Sequence, residues 1–73
     1  MKQEIIEIIN ALNVGIDLND PDLNIADDMD SMDIIALIAE LEDHFGITIS
    51  MREKTEANFR NVDTLAVMVE RLR

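Results

Sequence analysis

Three apolar stripes at helical spacing leave this chain little choice of architecture. Ile5, Ile8, Ile9 and Leu12 recur at i, i+3, i+4 and i+7, with Glu4 and Glu7 between them. Ile34, Leu37, Ile38, Leu41 and Phe45 share an arc about 100° wide when the segment from Ser31 is wound as a helix. Val62, Leu65, Ala66, Val69 and Leu72 repeat the pattern near the C-terminus. Only Ile47 and Ile49 alternate like a strand, and no second strand exists to pair with them. A chain of 73 residues has room for a single core, so the expectation is one all-α domain over residues 1–73. Its architecture is a four-helix bundle of three main helices and one short one, with a long first loop.

Local signals set the boundaries. Gly15, just past Asn13, is expected to end the first helix. From Val14 to Met29 no period persists, and Gly15, Asn19, Pro21 and Asn24 stand among many Asp residues, which predicts a long loop pinned by Ile16, Leu18, Leu23 and Ile25. The next helix opens at Asp30–Ser31, either of which can serve as N-cap, with Asp33 in the first turn, and it stops near Gly46. Ser50 followed by Glu53 has the form of a capping box and predicts a short third helix toward Phe59. Asn61 caps the last helix, whose C-terminal end carries Arg71 and Arg73. Methionines, five in all, add plasticity to the packing.

Charge narrows the partners. The chain holds 6 Lys and Arg against 16 Asp and Glu, a net charge of −10. Residues 1–50 carry 12 acids and one base, whereas residues 51–73 carry 4 acids and 5 bases. Such a surface repels nucleic acid and anionic lipid, and its asymmetry suits a basic protein partner. With no cysteine there is no disulfide, no thiolate zinc site and no thiol nucleophile. Neither a signal peptide nor a membrane span is visible, so a cytoplasmic, monomeric protein is expected. Repulsion among the clustered carboxylates predicts stabilisation by added salt or lowered pH.

Candidate chemistry concentrates at Asp30-Ser31-Met32-Asp33. Ser31 has two readings: an N-cap hydroxyl, or an exposed covalent attachment point whose phosphate would meet free N–H groups and the positive end of a helix dipole. Met32, Ile35 and Ala39 fall outside the core arc, on a face shared with Ser31, Glu42 and Asp43. They either dock a partner or pack beneath the long loop. Asp20, Asp22 and Asn24 match the first ligand positions of a calcium loop, but Ile25 stands where the turn needs Gly and Ser31 where a bidentate Glu is needed. An unmodified acidic interaction module is the other rival. Nothing points to an enzyme: His44, the sole histidine, reads as a solvated residue near a helix end.

The motif, the Leu41-Glu42-Asp43-His44-Phe45 run, the Ile47–Ser50 stretch and the final helix opened by Asn61-Val62 together resemble the acyl carrier protein family along essentially the whole chain. That resemblance implies a non-catalytic carrier holding acyl intermediates as thioesters on a 4′-phosphopantetheine arm. The arm is attached to Ser31 from coenzyme A by a magnesium-dependent phosphopantetheinyl transferase. It further implies that Asp30 helps position or is read by the transferase and its metal. Asp33, Glu42 and Asp43 would meet basic patches on acyl-processing synthases, transferases and reductases, with Met32, Ile35, Ala39 and Ile49 as the apolar part of the contact. The borrowed arm supplies the thiol this chain lacks, and tethering raises effective concentration without catalytic residues. Three departures bear on pathway rather than attachment. Asp28 stands where Gly is frequent, Met32 replaces Leu as among D-alanyl carriers, and Ala36 replaces a frequent Glu. The implied pathway is fatty acid or related acyl biosynthesis, with D-alanyl, aminoacyl or polyketide cargo as alternatives.

Overall fold

In a computed structural model covering residues 1–73, four α-helices account for the regular structure: α1 (Lys2–Leu12), α2 (Ile25–Asp28), α3 (Ser31–Phe45) and α4 (Val62–Leu72). There is no strand. The apolar stripes converge as their spacing requires. Ile5 and Ile9 of α1, Leu37, Ile38 and Leu41 of α3, and Val62, Leu65 and Val69 of α4 are buried in one core, joined by Met68. α1 packs on both α3 and α4. No helix is long and apolar enough to cross a membrane.

Three boundaries differ from the sequence expectation. α1 is terminated by Asn13, which takes the left-handed conformation at φ 56° and donates its N–H to the Asn10 carbonyl; Gly15 also has positive φ but lies beyond the cap. Asn tolerates this region because its short polar side chain relieves part of the steric cost. The long loop is interrupted by α2, a single turn. Its first N–H groups are satisfied from a distance: Ile25 N–H donates to the Arg60 carbonyl at 2.9 Å and Ala26 N–H to the Phe59 carbonyl at 2.8 Å. Leu23, Ile25 and Met29 are buried, so this segment is part of the core rather than a covering flap.

The third difference follows Ser50. Only a 3₁₀ turn, Met51–Glu53, forms there, and Ser50 makes no side-chain cap. Glu53 cannot complete a capping box because Arg71 of α4 holds it in a bidentate pair, Nη2 to Oε1 at 2.6 Å and Nη1 to Oε2 at 3.0 Å. Two bonds to a cationic guanidinium outcompete the single bond to a backbone N–H that a capping box would give the same carboxylate. Asn61, by contrast, caps α4 as expected: its Oδ1 accepts from Thr64 N–H at 2.9 Å while Thr64 Oγ1 accepts from Asn61 N–H at 3.0 Å.

Candidate functional site

The mouth of α3 is built by Asp30. Its backbone is extended at φ −76°, ψ 170°, and its Oδ1 accepts from Asp33 N–H at 2.8 Å, so Asp30 rather than Ser31 is the N-cap. The carbonyl of Asp30 accepts from Ile34 N–H at 3.0 Å. Ser31 is therefore the first helical residue. It is exposed, and its hydroxyl takes part in no hydrogen bond with the protein. The capping role available to it in the sequence is already filled, and the N–H groups of Ser31 and Met32 keep the unpaired status that helix geometry gives the first turn. Partial positive charge at this terminus faces Asp30 and Asp33, which are favourably placed for it.

Met32 and Ile35 lie open to solvent at 75% and 63% exposure, and Ala39 is exposed with them. They do not pack beneath the loop. Asp43 is also exposed, while Asp33 and Glu42 are half-buried. Glu42 is committed to the fold, its Oε2 accepting from Ile49 N–H at 2.8 Å. Ile49 departs from its expected surface placement: at 3% exposure its side chain belongs to the core, because the extended stretch after Gly46 turns Ile47 and Ile49 inward. The alternation seen in the sequence is real, but it inserts two anchors into a helical core instead of forming a strand.

Beside Ser31 opens a cleft of about 260 Å³. Ser31, Ile34, Ile35 and Ile38 of α3 form one wall; Ala26 of α2 and Lys54, Thr55, Glu56 and Phe59 form the other. Sequence reasoning missed that second wall, as well as Met51, which stands 80% exposed in the 3₁₀ turn. Periodicity on α3 cannot reveal residues brought alongside by the Ile25–Arg60 and Ala26–Phe59 hydrogen bonds. A larger depression of about 650 Å³ lies between the start of α1 and α4, and none of the motif residues lines it.

Elsewhere in the acidic half, the carboxylates mostly serve local structure. Asp17 and Asp20 accept from the N–H groups of Asn19 and Asp22 at 2.9 Å, and Asn24 donates to Asp27 and Glu56 at 3.4 and 3.3 Å. His44 reaches α1, its Nε2 lying 2.8 Å from Glu4 Oε2, and this contact with the nearby N-terminal amine holds the Glu4 carboxyl below the usual range. Arg71 lowers Glu53 in the same way and is itself raised by it.

The model of a family described as the phosphopantetheine attachment site matches residues 3–71. No curated protein and no solved structure is matched.

Proposed function

The chain belongs to the phosphopantetheine-attachment-site family, and from that premise we propose that Ser31 is the residue that carries the arm and that this domain ferries acyl groups between enzymes. The observation that carries this reading is the state of Ser31: an exposed hydroxyl, released from capping by Asp30, at a helix mouth and on the rim of a cleft. These features fit the group. The first-turn N–H groups and helix dipole favour a phosphodiester on that oxygen, and the cleft gives the arm's root a surface to lie on. Attachment forms a bond from Ser31 Oγ to the phosphorus that bears the pantetheine in coenzyme A. The phosphoanhydride breaks, adenosine bisphosphate leaves, and the serine proton passes to the transferase or solvent. Once bound, the arm supplies a thiol for thioester formation; the domain positions it.

Partners are met through the exposed Met32, Ile35 and Ala39, ringed by Asp33 and Asp43. Acid steering toward basic patches favours fast, salt-sensitive, short-lived encounters. Ile49 and Glu42 support this face from beneath, since one is buried and the other is bonded to it.

An acyl cargo of fatty acid type or a related one is supported by the apolar walls of the cleft, where Ile34, Ile38 and Phe59 face an alkyl segment. At ~30 Å³ per water, the volume equals about nine waters, enough for a short apolar segment. An aminoacyl or D-alanyl group would leave the cleft unused.

Intact-mass analysis after incubation with coenzyme A, magnesium and a broad-specificity phosphopantetheinyl transferase tests the attachment. Wild type should gain one arm and Ser31→Ala none. Equal gain by both, or no gain by wild type, refutes it. Amide shifts at Ile34, Ile38 and Phe59 should then change on loading an acyl chain but not on loading D-alanine.

A further inference from the structure

We propose that Lys54 is a positioning residue for the arm: its ammonium pairs with the phosphodiester on Ser31 and turns the root of the arm into the cleft. This rests on Ser31 being the attachment site and goes beyond it, by naming the cation that receives the new negative charge.

Lys54 and Ser31 line the same cleft from opposite walls. Lys2 is paired with Asp63 at 2.7 Å and Arg71 with Glu53 at 2.6 Å, whereas Arg52, Arg60, Arg73 and Lys54 have no carboxylate within salt-bridge distance; of these four, Lys54 alone lines the cleft. Its ammonium instead touches the Met51 sulfur at 3.8 Å, a weak acceptor that a phosphate oxygen would displace. Glu56, the one carboxylate in the cleft lining, is engaged by Asn24 Nδ2 at 3.3 Å.

The segment that bears Lys54 is held in place. Glu53 is gripped by Arg71 and also accepts from Asn58 Nδ2 at 3.2 Å, and Lys54 N–H donates to the Met51 carbonyl at 3.1 Å. The lysine therefore swings from a fixed base, and a four-carbon stem lets its charge follow the phosphate. On the opposite wall a phosphodiester would enter beside Asp30 and Asp33. The first-turn N–H groups offset that repulsion only in part, and Lys54 is the cation on the cleft wall that completes the compensation.

The test uses the full chain loaded with its arm and checked by intact mass, so that failure to load at Ser31 is seen separately from failure of the lysine contact. The ³¹P resonance of the diester is compared in wild type, Lys54→Gln and Lys54→Arg, each against its urea-unfolded form. Wild type and Lys54→Arg should show a folded-state shift that Lys54→Gln loses. The Lys54 side-chain resonances should move between the unloaded and loaded wild-type protein. Arg52→Gln, which removes an exposed cation outside the cleft lining, should keep the shift. An unchanged ³¹P resonance in Lys54→Gln with unmoved lysine signals overturns the proposal. So does a slower loading reaction in Lys54→Gln whose loaded product has the wild-type ³¹P shift, which would assign the lysine to the transferase encounter.

Discussion

Replacing Asp30 separates its role as the cap of α3 from the recognition by the transferase that is proposed for it. Asp30→Ala removes the oxygen that accepts from Asp33 N–H at 2.8 Å, and loss of an N-cap of this kind costs about 1 kcal/mol, within a range of about 0.5–2. At about 0.05–0.15 kcal/mol per residue a domain of this length has roughly 4–11 kcal/mol of stability, so the variant stays folded. Its melting point should nevertheless fall by about 4–8 °C for each kcal/mol lost. Asp30→Asn keeps the capping oxygen. It loses ~0.3–1 kcal/mol of charge–dipole attraction but relieves repulsion with Asp33, so it should melt close to wild type. Loading separates the roles. If the transferase or its metal reads the charge, both variants lose a contact worth about 1.5–3 kcal/mol, roughly a 10- to 150-fold fall in kcat/KM. Thermal melts followed by circular dichroism and a time course of intact mass measure both quantities. An Asp30→Ala protein that melts with wild type refutes the cap, and an Asp30→Asn protein that loads at the wild-type rate refutes recognition.

The two isoleucines expected on one contact surface should behave oppositely. Ile49→Ala should cost about 2–5 kcal/mol as a core truncation, whereas Ile35→Ala should stay within about 0.5 kcal/mol while weakening turnover by partner enzymes, as urea denaturation and a coupled synthase assay would show. Acid should expose the Glu53–Arg71 pair. The Arg71 guanidinium holds the folded-state Glu53 carboxyl below the usual glutamate range, so the stability it contributes is complete above that range and disappears as pH falls through the lowered value. Glu4 behaves likewise, and Glu53→Gln should flatten the acid limb of a melting-point titration. The relief of repulsion expected from lowered pH is thereby opposed below about pH 4.5, while added salt near neutral pH should still raise the melting point. A steady fall with salt would show that the ion pairs outweigh the clustered repulsion.

Most of the fold was legible because each main helix carries its own burial signal. Ile5 and Ile9, or Leu65 and Val69, are spaced for one face whatever lies opposite, and Asn61 with Thr64 caps α4 by contacts no more than a few residues apart. In two of the three places where the sequence misled, a distant group intervened. Ser50 and Glu53 have the form of a capping box, but Arg71 takes the carboxylate. The segment around Ile25 reads as loop because its helical turn is completed by carbonyls of Phe59 and Arg60, more than thirty residues away.

The candidate site divides along the same line. Its Asp30–Asp33 motif and its acidic rim are short-range properties of one amphipathic helix, fixed by residue order alone, whereas the solvent exposure of Met32 and Ile35, rather than burial beneath the loop, was decided by the packing. Which of Asp30 and Ser31 caps that helix is decided by the local backbone at Asp30, while whether Ile49 faces a partner or the core and what lies across from the serine were settled only by packing. The hydrogen bonds that bring residues 59 and 60 onto α2, and the Arg71 fork that anchors Glu53, set Lys54 and Phe59 beside Ser31. Periodicity encodes the direction a side chain takes from its own helix, but a cleft has two walls, and the second is supplied by chain remote in sequence.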